Sequence, residues 1–443
     1  MAAVTWSSSL GFARAEELCS ITPTSYATAK TDYPELAFAL EAVEEYSIGA
    51  WYTDRLSVTD RATMLSSITS ECSEDTRMTI VVYGIPNKDC NAGLSSGGTV
   101  SSTADYQDFL QDLTDAVGDR KVLYVVEPDA VGLLAEDGGC GSSSGYLDNL
   151  KVAVAALSAN ANAQLYVDVG YWTLEYESQR STVVSVITEL AAAGTLKGIT
   201  INTSNYRTTT EVTGLCTDFQ TAMGSEDLTC IIDTSRNYND PPSTEWCNLK
   251  TAGIGMPPTS ETGVSNLDYF MWIKPPGESD GQCSGSTDSL TGTTAGTFYQ
   301  EGFQLLWDQG YFVKDLGKGT IAEGDTGSSQ TATNSSSQAS DSSASQTTDA
   351  SASQATTTTP ATTTATPVAT TATPTATTTA TETPTATTAT PATTTATPTT
   401  TTATPTTTTP AATTATTATP TTTTATPSQT SSNCKVKRRL RKL

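Results

Sequence analysis

Four aspartates stand just beyond the ends of apolar runs: Asp89 in VVYGIPNKDC, Asp129 in VLYVVEPDAVGLL, Asp168 in QLYVDVGYW and Asp280 in YFMWIKPPGESDG. Each run is rich in β-branched or aromatic residues and stops at a turn-forming cluster, the pattern of a buried strand. Strands of a parallel barrel deliver their C-terminal ends to one mouth, where several acids can crowd around a single bond. The chain contains no histidine, which leaves carboxylates as the acid–base groups near neutral pH. The chemistry this predicts is a hydrolysis run by carboxylates.

Strand-like runs alternate with helix-like ones along the chain. The candidate strands are Ser47–Tyr52, Met78–Ile85, Val122–Glu127, Gln164–Val169, Lys197–Asn202, Leu228–Asp233 and Tyr269–Lys274. Amphipathic stretches lie between them, among them Ala104–Val117, Tyr146–Leu157 and Ser181–Ala193. Such alternation predicts an α/β fold, a parallel sheet with helical crossovers. Seven strands make an incomplete or distorted barrel rather than a regular eightfold one.

The 443 residues carry a net charge of −24, which repels nucleic acid and anionic membranes and is equally a means of staying soluble. The nine cysteines form no CxxC pair, and without histidine no zinc site is expected; no metal or organic cofactor is implied. Eight of them, Cys19, Cys72, Cys90, Cys140, Cys216, Cys230, Cys247 and Cys283, fall in the globular part. That number suits four disulfides and an oxidising compartment, with connectivity left open by spacing alone.

Four segments are expected. Residues 1–20 read as an atypical or truncated leader: the small-residue pattern near Ala15 resembles a cleavage site, but Ser7, Ser8 and Ser9 interrupt the apolar core. Residues 21–320 form the catalytic domain. Residues 321–433 are dominated by Ser, Thr, Ala and Pro; with little apolar bulk to bury they are expected to stay disordered, as a spacer or an inert tail. Fully extended, the stalk reaches on the order of 300 Å, and Asn334-Ser335-Ser336 is a glycosylation sequon within it. Residues 434–443, CKVKRRLRKL, form the only basic cluster, which fits an anionic surface or a processing remnant. No segment approaches the roughly 20 apolar residues that span a bilayer.

Taken in order, VVYGIPNKDC, VVEPDAVGLL, YVDVG, ITINTSNY, IIDTSRN, EWCN and WIKPPGESDG resemble glycoside hydrolase family 6 from about Ser47 to Tyr311. The resemblance implies a cellulase, endoglucanase or cellobiohydrolase, that cuts β-1,4-glucan with inversion on a distorted seven-stranded, TIM-like barrel. Asp129 then matches the catalytic acid, and Asp89 a second acid that keeps it protonated by like-charge repulsion. Asp280 matches the family's candidate base; the alternative is a water chain positioned by Ser95. Asp168 matches an acid that organises the cluster, and Tyr83 an aromatic beneath the sugar at the cleavage point. Trp51 and Trp246 match sugar-stacking platforms, Lys274 and Glu278 match polar partners, and Asn202 and Asn205 lie at another site-like strand end. The implied disulfides are Cys90–Cys140 and Cys247–Cys283; Cys216–Cys230 and Cys19–Cys72 are what remain. Read alone, Asp89 fits a turn and Asp129 a helix N-cap after Pro128.

Two features depart from the family pattern. The chain reads Asp168-Val169-Gly170-Tyr171-Trp172 where the family commonly carries a histidine and a later tryptophan, which leaves Trp172 as the candidate substitute platform. The loop between Asp280 and the helix near Tyr299 is short, and implies an open cleft and internal cutting. The expectation is a secreted, monomeric endoglucanase acting on β-1,4-glucan, with cell-wall association through the stalk. The rivals are a cellobiohydrolase and a catalytically weak wall-associated glucan-binding protein.

Overall fold

The computed structural model describes residues 15–284 and 286–325; the leader up to Arg14, the stalk beyond Asp325, the Asn334 sequon and the basic tail lie outside them. Eight strands are present among the described residues: β1 (Leu18–Cys19), β2 (Ala50–Thr53), β3 (Arg77–Tyr83), β4 (Val122–Val126), β5 (Ala163–Asp168), β6 (Gly198–Ile201), β7 (Thr229–Asp233) and β8 (Leu267–Met271). All pair in parallel, and β3 to β8 follow one another in chain order. β1 pairs with Arg77 and Met78 of β3, and β2 with Ile80–Tyr83, on the edge opposite β4. Eight strands therefore make seven staves, because β1 and β2 share one position.

The seven expected strands lie within a few residues of their predicted bounds. The two-residue β1 was not foreseen, being too short to carry a period. The helix at Tyr146–Leu157 has the predicted ends, whereas the other two start earlier, at Thr103 and Glu177. Ser102 caps the Thr103–Val117 helix by accepting from the Asp105 N–H, and Gly118 ends it at φ 57°.

Parallel strands covered on both faces must be apolar throughout, and every residue of β3 and β4 is buried. Val81, Leu123, Val125, Tyr166, Ile231 and Met271 point into the barrel, while Val122, Tyr124 and Val126 pack outward under the helices. Between β8 and the shared stave the ladder is reduced to one bridge, Ile48 with Trp272, where the Gly49 N–H donates to the Trp272 carbonyl at 2.8 Å. Below it Glu16 spans the gap, accepting from Arg77 at 2.8 Å and from the Tyr269 hydroxyl.

Four disulfides join Cys19–Cys72, Cys90–Cys140, Cys216–Cys230 and Cys247–Cys283. No helix among the described residues is long and apolar enough to cross a membrane.

Candidate active site

The C-terminal strand ends bear the strain of the fold. All seven described non-glycine residues with positive φ lie in turns around this mouth or its loops: Asn87, Asp89, Glu127, Asp129, Asn202, Ser204 and Asn248. Each such residue costs on the order of 1–3 kcal/mol and persists only where its surroundings over-determine it.

β4 runs out into Glu127-Pro128-Asp129, with φ of 47° at Glu127 and 69° at Asp129. Asp129 precedes the helix Ala130–Ala135, yet its side chain makes no capping hydrogen bond, so the carboxyl is not consumed by the N-cap role. Its backbone N–H donates to Asp168 Oδ1 at 2.9 Å. Burial pushes the Asp129 carboxyl well above the usual range, and the charges of Asp168 and Asp89, then Glu136 and Asp280, add to that. Asp168, the last residue of β5, is 1% exposed. Burial raises it too, against the Thr203 hydroxyl and the Asp129 and Gly170 N–H groups, and its Oδ2 lacks a hydrogen-bond partner within bonding geometry.

The loop after β3 brings the next group. Asp89 Oδ2 accepts from the Ser95 N–H at 2.6 Å and the Ser95 hydroxyl at 2.9 Å, and that hydroxyl lies 2.9 Å from the Tyr83 hydroxyl. Trp51 meets Tyr83 edge to face at 5.4 Å and donates its indole N–H to the Ile273 carbonyl at 2.8 Å. A buried ion pair anchors the loop: Lys88 Nζ bonds Asp54 and the Gly97 carbonyl, and Asp54 accepts from the Val100 N–H at 2.9 Å.

On the opposite side, Asp280 Oδ2 accepts from Arg236 at 2.8 Å and from the Tyr206 hydroxyl and Asn248 N–H at 2.9 Å each; Lys274 Nζ stands 3.4 Å from Oδ1. Burial would raise this carboxyl, but Arg236 and Lys274 outweigh it and hold the group below its ordinary value. Glu278 accepts from the Ser25 hydroxyl at 2.9 Å, and burial raises it. Leu94 of the first loop packs onto Gly281 of the second, where a Cβ would lie 2.8 Å from Leu94 Cδ1.

Among the expected sugar contacts, Trp246 is 46% exposed. Trp172 donates to Glu136 at 3.0 Å and lays its ring against Gly132 and Gly170. The two asparagines face inward instead. Asn202 has no exposed surface; its amide donates to the Arg207 and Asp233 carbonyls and accepts from the Arg207 N–H. The Asn205 side chain turns back to the Thr203 carbonyl at 3.0 Å. These asparagines brace the strand-end turn, because a left-handed residue needs local hydrogen bonds to hold it.

Several site residues were not foreseen. Asp233 accepts from the N–H groups of Ser204, Ser235, Ile273 and Lys274, tying three strand ends together. Its signal was present, since IIDTSR repeats the strand-then-acid pattern of the other aspartates. Glu127 is fully buried, accepting from the Gly84 N–H and the Tyr106 hydroxyl; burial pushes it up to about 7 against those two donors, the Ile85 N–H and the charge of Lys88. Arg236 has no local signal, since its partner lies 44 residues away. Among the described residues no cluster of cysteine and acidic side chains is arranged to hold a metal ion.

The chain and its seven-stave parallel barrel are similar to known proteins. The family described as glycosyl hydrolases family 6 matches residues 17–309. Endoglucanase A of Thermobispora bispora is 30% identical over 262 residues, 58% of this chain and 55% of that protein. The 1,4-beta-D-glucan cellobiohydrolase C of Emericella nidulans is 29% identical over 325 residues, 63% of this chain and 70% of that protein. The chain spans 45%, 55% and 66% of the length of three endoglucanases it matches. Among solved structures, the family 6 enzyme of Orpinomyces sp. Y102 superimposes with a TM-score of 0.58 at 25% identity, over 67% of this chain and 97% of that one. The match over residues 17–309, together with this fold, makes the chain a member of glycosyl hydrolases family 6, the cellulase family.

Proposed function

We propose that this chain is a secreted, inverting cellulase that cuts β-1,4-glucan chains internally, with Asp129 as its acid. The observation that carries this reading is the Asp129 carboxyl, half-buried at the mouth, free of capping duty and set beside Asp168, whose Oδ1 takes its N–H, among acids whose charges add to burial in raising it. Such a group can give its proton to the departing glycosidic oxygen as the bond breaks. Asp89 and Asp168 sustain the protonation, and their charge offsets the positive charge that builds on the sugar ring.

Inversion needs water to attack from the opposite face and lose a proton there. Asp280 is a poor acceptor, because its Oδ2 already takes three donors and two cations depress its proton affinity. We assign the proton path instead to Ser95, which places water near Asp89 through its hydroxyl, and give Asp280 the task of fixing charge at the mouth. Tyr83 supports the distorted ring; Trp51, Trp246 and Trp172 offer aromatic faces to the sugars, and Lys274 and Glu278 their polar rims. The four disulfides favour an oxidising, extracellular setting; residues 321–433 are the proposed stalk toward a wall.

The short loop after Asp280 and the similarity to endoglucanases favour internal cutting. One observation favours chain-end cutting: Leu94 meets Gly281, so the two loops touch across the mouth. Viscosity loss of carboxymethylcellulose against reducing ends released separates the two. A rapid viscosity drop that Asp129→Ala abolishes supports the endo reading; slow loss with steady sugar release supports the other. Absence of activity on β-glucans sinks the enzyme and leaves a glucan-binding protein.

A further inference from the structure

We infer that Glu127 is a positioning residue for Asp129, holding the strand-end turn that aims the acid; this rests on the proposed role of Asp129. Glu127 lies two residues before Asp129 and is fully buried behind the mouth. Its two carboxylate oxygens take the Gly84 N–H at 3.0 and 3.1 Å, and Oε1 also takes the Tyr106 hydroxyl at 2.6 Å. Its own N–H donates to the Val82 carbonyl at 2.9 Å. The turn after Tyr83 and the turn before Asp129 are thus bound together by main chain on one side and by this carboxylate on the other.

The third side of the bracket is the helix Thr103–Val117, which contributes Tyr106 and Phe109. Phe109 lies so close to Gly84 that a Cβ there would sit 2.5 Å from its ring, so the turn cannot yield toward the helix. Asp129 has no side-chain capping bond; its aim is set by the left-handed backbone at Glu127 and Asp129, at φ 47° and 69°. The carboxylate of Glu127 ties that backbone to its surroundings, while Glu127 itself touches no reacting group.

Glutamine has the same shape but only one acceptor oxygen. With its oxygen at the Oε1 position it keeps both donors, but its NH2 group then stands against the Gly84 N–H, a buried donor facing a donor, and pushes the turn aside. A displacement near 1 Å at the reacting atoms costs on the order of 100-fold in rate.

The test uses the full chain and a soluble cello-oligosaccharide, measuring kcat, KM and Tm for Glu127→Gln, Tyr106→Phe and the double variant, with Asp129→Ala alongside. Expected are a kcat loss of roughly 30- to 100-fold for Glu127→Gln with KM within about twofold, and no recovery of kcat in the double variant, where the clashing Gly84 N–H remains. Wild-type kcat in Glu127→Gln well below its Tm, or KM rising in step with the kcat loss, overturns the inference. Should Glu127→Gln not fold, Tyr106→Phe decides: kcat falls severalfold at constant KM, and an unchanged kcat overturns it. Turnover in Asp129→Ala would instead overturn the acid assignment, so the two failures are told apart.

Discussion

Replacing Lys88 by methionine tests how the mouth is held. The Lys88 side chain is 3% exposed and its partner Asp54 is 0% exposed, so the change strands a carboxylate without water or counter-charge. It also removes the bond to the Gly97 carbonyl, which fixes the far end of the Ser95 loop. Breaking one partner of a buried pair costs about 3–5 kcal/mol, a large share of the roughly 5–15 kcal/mol that holds a domain together. At about 2–4 °C per kcal/mol for a domain of this order, Tm should fall by roughly 6–20 °C. Activity should fall further than stability explains, because Ser95 and Asp89 lose their common support. Thermal unfolding and kcat at a temperature where the variant is folded are the two measurements. The double change Lys88→Met with Asp54→Leu removes both charges and should recover much of the Tm. A Lys88→Met Tm within about 2 °C of wild type, less than one kcal/mol, would refute the reasoning.

Four further outcomes are expected. Burial, then Asp168 and Asp89, raise Asp129, so activity persists well above an ordinary aspartate pKa and falls as pH rises through the raised value. Asp168→Asn, which can still accept the Asp129 N–H, should move that alkaline limb down by ~1 pH unit, read from kcat/KM against pH. Because the folded state holds these protons more tightly than the unfolded chain, their contribution to stability diminishes as pH rises from about 4 through the raised pKa values. Asp129→Asn should flatten that dependence in a series of Tm measurements. Asp280→Asn leaves Arg236 buried without its carboxylate and should cost about 3–5 kcal/mol in denaturant unfolding; added azide should not restore turnover in Asp280→Ala, and rescue would make Asp280 the base after all. Trp246→Ala should raise KM by roughly 2- to 10-fold with Tm unchanged, since an exposed stacking face contributes about 0.5–1.5 kcal/mol.

The strand ends were legible because burial leaves a local record. A run such as VLYVV is apolar at every position when both faces are covered, and it stops where the chain turns at the mouth. The same record made the Tyr146–Leu157 helix readable to the residue. What escaped was information carried across the chain. Arg236 and Asp280 are 44 residues apart, Asp54 and Lys88 are 34 apart, and neither pair has a local pattern. Asn202 and Asn205 show the converse: their place at a strand end was read correctly, but the direction of each side chain is decided by a left-handed turn that only the fold reveals. Glu127 stood in plain sight beside Asp129, yet residue type alone does not separate a carboxyl that faces substrate from one that faces the backbone.

The seam between β8 and the shared stave gives the barrel the character of a split ring. A continuous ladder spreads an outward load around its whole circumference; here the load concentrates on the Gly49–Trp272 bond above and on Glu16 below. The indole of Trp51 crosses the same joint to reach Ile273. Under the proposed function, a glucose unit stacked on that indole would brace the weakest joint of the ring. Slowed exchange of the Gly49 amide in the presence of a cello-oligosaccharide would then report substrate binding and barrel closure together.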